Sequence, residues 1–225
     1  MIQRNLIKAR HFISRSIGKV MSPEQPQKQQ ADEQPHVPRS SFVVFAREII
    51  KNPREMGAAC PSSRKLSRAL ASPIALDKDG LVVELGAGTG QVTQALLQHG
   101  IPGKQLVAIE RSVKLTEYLK QHFKDVHVVQ GDATQLRSLV QPYGQLVNAV
   151  VSGLPLRSLP KKVGQDIMNE IEQLLPVGGL YIQFTYDLGR KYAHLPAQFK
   201  CISSKFIWGN IPPARVDVYQ LDASQ

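Results

Sequence analysis

The segment VVELGAGTGQV, residues 82–92, constrains this chain more than any other stretch. A short β-branched run passes into Gly86, Gly88 and Gly90, and a helical pattern follows at once. Glycines let a backbone turn sharply and approach a bound molecule with no Cβ in the way. A nicotinamide-dinucleotide loop, G-x-G-x-x-G/A, requires Gly or Ala at position 91, where this chain has Gln91. No G-K-[ST] follows to form a phosphate-gripping loop.

Strand-like and helix-like runs alternate through the rest of the body. LVVEL (81–85), QLVAIE (105–110), HVVQ (127–130), LVNAVVS (146–152) and GLYIQFTY (179–186) read as strands. They are short and mostly β-branched, as a sheet covered on both faces requires. Helical patterns lie near 90–99, 112–123, 133–140 and 158–175. Upstream, SFVVFAREIIKN (41–52) has helical spacing, and Pro61-Ser62-Ser63 opens a helix through about Ala71 with a hydroxyl at its cap. FKCISSKFIW (199–208) and RVDVYQL (215–221) then follow with only a Gly-Asn-Ile-Pro-Pro turn between them. The pattern predicts an α/β domain over residues 41–225, a doubly wound, mostly parallel seven-stranded sheet ending in an antiparallel hairpin.

Three carboxylates fall where such a sheet binds ligands. Glu84 closes the first strand, Glu110 ends the second, 20 residues past Gly90, and Asp132 follows the third within Gly131-Asp132-Ala133. A carboxylate at the end of the second strand is placed to accept ribose hydroxyls. Three acids along one sheet edge suit a ligand rich in hydroxyls and carrying an amino group.

With these acids, E-x-G-x-G-x-G resembles the first motif of class I S-adenosylmethionine-dependent methyltransferases, Rossmann-like enzymes. The resemblance implies S-adenosyl-L-methionine as cofactor, held by Glu84, Gly86, Gly88, Gly90, Glu110, Asp132 and Ala133. Asp132 and the amide after it would recognise the adenine edge. Glu84 would hold the loop amides or face the methionine ammonium.

The fourth strand runs into VVSGLPLRSLP (150–160), which puts SGLPL at the mouth of the site. This resembles the N/D-P-P-Y and N-L-P-Y signatures of amino-group methyltransferases, with Ser152 in place of Asn and Leu156 in place of the stacking aromatic. A flipped base needs stacking to offset its extrusion, so the leucine counts against nucleic acid. REMGAACPSSRKLSRALA (54–71), SGLPL (152–156), QFTYDLG (183–189) and WGNIPPARVDVY (208–219) together resemble bacterial phosphatidylethanolamine N-methyltransferases of the soluble, ribosomal-dimethyltransferase-like type. Asp187 departs from that pattern, which has glycine after F-T-Y. The resemblance implies methylation of the phosphatidylethanolamine headgroup amine towards phosphatidylcholine; ornithine lipid or an RNA adenine amino group are the alternatives.

Charge supports a lipid partner. The chain carries 28 Lys+Arg against 18 Asp+Glu, yet residues 1–72 hold +8 of the net +10 and the remainder is nearly neutral. On a helical wheel of residues 1–20, Ile2, Leu6, Ala9, Ile13, Ile17 and Val20 share one side and Arg4, Lys8, Arg15 and Lys19 the other. Such a helix lies in an anionic membrane surface, packs on the protein's own body, or serves as an organellar transit peptide. Residues 21–40, rich in Pro and Gln, read as a flexible linker. Hydrophobic residues at 42% exclude a disordered chain, and no run approaches the roughly 18 apolar residues of a membrane span. Cys60 and Cys201 build no disulfide framework and no zinc site, so a reduced compartment and no metal are expected. The expectation is a cytoplasmic monomer associated peripherally with the inner face of the cell membrane.

The chemistry follows from the acceptor. An alkyl ammonium near the lysine value, about 10, is roughly one part in a thousand neutral at pH 7. The site must desolvate it, take its proton, or both. Ser152 and the carbonyls around Gly153-Leu154 are candidates to orient the amine, and Tyr186 is a candidate to contact its nitrogen by hydroxyl or ring face. Tyr192 and His194 are weaker candidates, and Arg64, Lys65 and Arg68 are candidates for a lipid phosphate.

Overall fold

The structure, a computed structural model, describes residues 61–156, 159–188, 195–210 and 212–223. The expected helices at 1–20 and 41–52, the linker at 21–40, the cap before the 61–71 helix, Tyr192 and His194 lie outside the described residues or side chains.

Seven strands form one sheet: β1 (Leu81–Leu85), β2 (Leu106–Glu110), β3 (His127–Gln130), β4 (Val147–Ser152), β5 (Leu180–Thr185), β6 (Phe199–Ile207) and β7 (Ala214–Leu221). Their order is β3-β2-β1-β4-β5-β7-β6. β1 to β5 are parallel, while β7 lies antiparallel between β5 and β6. The doubly wound architecture expected from the alternating pattern is the one observed. β7 returns along β5, which leaves β6, its partner in the hairpin, as the outer edge strand.

Strand alternation divides the apolar residues between two cores. One face sends Val82, Ala108, Val151, Ile182 and Val216 against α1 (Pro61–Ala71), α2 (Gln91–His99) and α3 (Val113–His122). The other sends Val83, Val107, Val150 and Tyr181 against α4 (Leu136–Val140) and α5 (Lys161–Leu174). β1 is buried along its whole length, which is why both phases of its sequence are apolar except Glu84.

The strand boundaries differ from the sequence pattern by a residue or so. The helix expected over 133–140 is a 3₁₀ turn, Ala133–Gln135, followed by α4, because Asp132 caps the turn through its side chain. α2 begins at Gln91 because Gly90 is its N-cap with a left-handed φ of 81°.

Between β1 and β4 the chain's direction of travel across the sheet reverses, and there the crevice beyond the strand ends opens. The glycine loop and the Ser152-Gly153-Leu154 turn both leave the sheet at that point. Among the described residues, no helix is long and apolar enough to cross a membrane.

Candidate functional site

The glycine loop is held in place by β2. The N–H groups of Gly86 and Ala87 donate to the Ile109 carbonyl at 2.8 and 3.2 Å. The Gly88 N–H donates to Glu110 Oε2 at 2.9 Å, and Ser112 N–H donates to Glu110 Oε1 at 2.8 Å. Glu110 thus joins the loop to the turn that opens α3, where Ser112 caps the helix. Gly86, Gly88 and Gly90 all have left-handed φ, at 71°, 56° and 81°, which L side chains adopt only at a cost.

Glu84 performs a different task from its neighbour. Its side chain is fully buried, and Oε2 accepts from the Thr93 hydroxyl of α2 at 2.6 Å. The amides of Gly86, Ala87 and Gly88 go to Ile109 and Glu110, so the alternative in which Glu84 holds the loop amides is corrected. Glu84 Oε1 is buried with no hydrogen-bond partner among the described residues. Burial raises the Glu84 pKa to about 7, against the hydrogen bonds from Thr93, with Glu110 adding repulsion.

Asp132 sits two residues past β3. Its Oδ1 accepts from the Thr134 N–H at 3.0 Å and the Thr134 hydroxyl at 2.9 Å. Its Oδ2 is 3.6 Å from Arg111 Nη1. The Thr134 N–H and hydroxyl, helped by the Arg111 cation, hold this carboxyl below the usual range. Ala133 is buried behind it.

The Ser152–Leu154 turn is seated on the loop. Gly153 N–H donates to the Leu85 carbonyl at 2.8 Å. A Cβ at Gly153 would stand 2.9 Å from the Gly86 carbonyl oxygen and 3.2 Å from that of Leu85. A Cβ at Gly86 would in turn collide with the Leu154 side chain. Ser152 is buried, and its Oγ accepts from Leu154 N–H at 3.3 Å. Gln183 of β5 donates from Nε2 to the Leu154 carbonyl at 3.4 Å while its Oε1 accepts from the Tyr181 hydroxyl. Leu156 is only 3% exposed and belongs to the α5-side core.

Tyr186 reaches the same sheet edge from β5, directly after Thr185. Its ring meets Phe184 edge-on with centroids 5.3 Å apart and packs into the α1-side core. Arg64, Lys65 and Arg68 are exposed on α1.

Sequence reading missed Thr93, Arg111, Ser112 and Gln183. Ser112 was legible as a helix cap; Thr93 carried no local signal, and Gln183, although it opens QFTYDLG, gave no sign of its partners, Tyr181 and the Leu154 carbonyl.

The residues present fit S-adenosylmethionine. The loop keeps its backbone open at Gly88, the carboxylate beside it stands at the ribose position of doubly wound folds, and Glu84 carries a buried acceptor oxygen with no donor among the described residues. A methyltransferase domain family model matches residues 82–179. The chain belongs to the class I S-adenosylmethionine-dependent methyltransferases. Among its relatives, the ornithine lipid N-methyltransferase of Singulisphaera acidiphila is 32% identical over 178 residues, 77% of this chain and 92% of the relative. The ribosomal RNA small subunit methyltransferase A of a Synechococcus strain is 41% identical over 64 residues, 27% of this chain and 22% of that one.

Solved structures share the fold. The 1,6-didemethyltoxoflavin-N1-methyltransferase of Burkholderia thailandensis, with bound S-adenosylhomocysteine, has a TM-score of 0.58 at 14% identity and covers 91% of this chain and 94% of its own. The N-methyltransferase NodS of Bradyrhizobium japonicum, also with S-adenosylhomocysteine, has a TM-score of 0.56 at 14% identity, covering 73% and 90%.

Proposed function

We propose that this enzyme N-methylates the primary amine of an aminolipid headgroup, phosphatidylethanolamine or ornithine lipid, at an anionic membrane surface on the cytoplasmic side. The observation that carries this reading is the mouth of the site. The Ser152–Leu154 turn is seated on the glycine loop, and Leu156 is buried in the core where base-methylating enzymes hold a stacking aromatic. Such a mouth suits a small alkyl amine better than a flipped base. The ornithine lipid relative and the run of acid-free basic residues in 1–20 support a lipid partner.

S-adenosylmethionine, when bound, supplies an electrophilic methyl on a sulfonium. Glu84, Gly86, Gly88, Gly90, Glu110, Asp132 and Ala133 would hold it. The chain's own contribution is then to present an amine lone pair in line, and alignment is the larger part of such catalysis. The Ser152–Leu154 turn is pinned from three sides, by Leu85, Gly86 and Gln183, so its carbonyls form a rigid acceptor edge for an ammonium. Apolar surroundings at Leu154 disfavour the charged amine and lower its pKa towards the working range. Tyr186 flanks the acceptor, by hydroxyl at first and by ring face as methyls accumulate.

The test is incubation of the full chain with methyl-labelled S-adenosylmethionine and, separately, phosphatidylethanolamine vesicles, ornithine lipid vesicles and ribosomal RNA. Label in a lipid amine supports the reading and selects the headgroup. Label in RNA alone overturns it.

A further inference from the structure

The outer edge of the sheet carries a surface that the catalytic site does not use. Ser204 and Phe206 share one face at the end of β6, and Trp208 follows directly in the turn. Ser204 is anchored through its hydroxyl to Asp217 at 2.5 Å. Phe206 and Trp208 project into solvent, 43% and 70% exposed, with ring planes 13° apart and centroids 5.5 Å apart. Two stacked, exposed aromatics at a hairpin tip are unusual on a protein surface, where large apolar groups rarely cluster.

Cations flank them. Lys205 points to the opposite face of β6 and is exposed. The Lys65 ammonium lies against Gly209, 2.9 Å from where a Cβ would stand. Of the nearby acids, Asp217 chelates the Arg215 guanidinium at 2.8 Å, and the Asp187 charge also acts on Arg215. The tip therefore carries aromatic rings on one face of β6 and, round its edge, the Lys205 and Lys65 ammonium groups, which form no ion pair among the described residues. Aromatic side chains with a polar edge settle at the headgroup level of a bilayer, and each lysine near an anionic surface adds on the order of 1 kcal/mol.

Register places this tip beside the site. Phe206 pairs with Arg215, and Arg215 pairs with Thr185, the residue before Tyr186. Two strand spacings make that about 10 Å. β5 and β6 run the same way, so Trp208 leaves the sheet at the edge from which the glycine loop and Ser152–Leu154 also leave.

We infer that the β6–β7 hairpin tip, through Phe206, Trp208, Lys205 and Lys65, is a second membrane contact that seats the catalytic edge of the sheet on an anionic bilayer. The choice of a bilayer as partner rests on the lipid reading above. The basic residues of 1–20, distant in sequence from the site, would hold the protein at a membrane without orienting it. A second contact about 10 Å from Thr185, on the same edge of the sheet, turns the mouth of the site towards the headgroups.

Trp208 is the chain's one tryptophan, so the full protein reports on this surface without a label. Vesicles of phosphatidylglycerol and phosphatidylcholine should shift its emission to shorter wavelength, and brominated acyl chains in the same vesicles should quench it. Trp208→Ala should lower vesicle affinity about tenfold, the equivalent of about 1.4 kcal/mol, with S-adenosylmethionine affinity in calorimetry unchanged. Sedimentation of the protein with vesicles while Trp208 emission stays unshifted and unquenched would overturn the inference and leave the lipid reading intact. A concentration-dependent blue shift without lipid would assign the surface to a second copy of the chain, and overturns it equally. Quenched Trp208 with methyl label in RNA alone supports this surface and ends the lipid-substrate reading instead.

Discussion

The Gly88 amide and the Glu110 carboxylate, 22 residues apart in the chain, are joined by a 2.9 Å hydrogen bond. The side chain placed to meet a ribose is therefore also the side chain that shapes the glycine loop.

Replacing Glu110 consequently has two effects at once. Both carboxylate oxygens accept from backbone N–H groups, so the amide of Glu110→Gln would turn a donor against a donor. Glu110→Gln should lose S-adenosylmethionine affinity nearly as fully as Glu110→Ala, each by more than about tenfold, or 1.4 kcal/mol. Titration calorimetry checks this; wild-type affinity in Glu110→Gln would refute it.

Gly153→Ala tests the seating of the mouth on the loop. Its Cβ meets two backbone carbonyl oxygens, which cannot rotate away as a side chain would. Overpacking of this kind costs about 1–3 kcal/mol. The urea midpoint should fall accordingly, and methyl transfer should fall further than stability alone explains.

Glu84 makes stability depend on pH. Its pKa is about 7 in the folded protein against 4.5 as the ordinary value, so the folded state binds the proton more tightly. The unfolded chain releases that proton first as pH rises, so stability falls between about 4.5 and 7 and is then level, with a total on the order of 3 kcal/mol. In Glu84→Gln the amide oxygen can still accept from Thr93, and the cofactor-free variant should be more stable than wild type above pH 7 and similar below pH 4.5. Thermal melts across this range decide the matter.

Gln183 positions the Leu154 carbonyl without standing at the mouth itself. Gln183→Leu should lower kcat several-fold while leaving KM for S-adenosylmethionine unchanged, because the loop contacts are untouched. It should also destabilise the fold by about 1–3 kcal/mol, through loss of the buried Tyr181–Gln183 hydrogen bond. Equal losses in both kinetic constants would argue against a positioning role.

Arg215 and Asp217 are both buried and bonded through two N–H groups. Arg215→Met leaves a buried carboxylate uncompensated and should cost about 3–5 kcal/mol. Adding Asp217→Leu should restore much of it, measured as a shift in urea midpoint, because a pair removed whole leaves no orphaned charge.

Much of this architecture is written locally. The β-branched runs at 81–85 and 147–152 announce strands buried on both faces, and Gly86, Gly88 and Gly90 announce the loop that links strand to helix. The placement of Glu84, Glu110 and Asp132 at strand ends follows from counting. Their partners do not, because a hydrogen bond such as Thr93 to Glu84 depends on how a helix docks, and the docking is set by packing of both cores. The strand order at the end of the sheet is hidden for the same reason: RVDVYQL is equally good as an inner or an edge strand until Val216 and Val218 have a core to fill. Arg215 and Asp217, two charges inside an apolar strand, were the local mark of a buried pair.

The contact between Leu85 and Gly153 also has a kinetic meaning. It closes a segment of about 68 residues, at an entropic cost of roughly 4 kcal/mol, whereas β1 and β2 meet across a much shorter connection. During synthesis the first three strands and their helices emerge from the ribosome ahead of β4, so the first half of the sheet can begin to zip up before the turn that completes the site emerges. Methyl transfer therefore depends on this long-range closure of the parallel sheet, and a chain arrested short of β4 would hold its glycine loop with nothing seated against it.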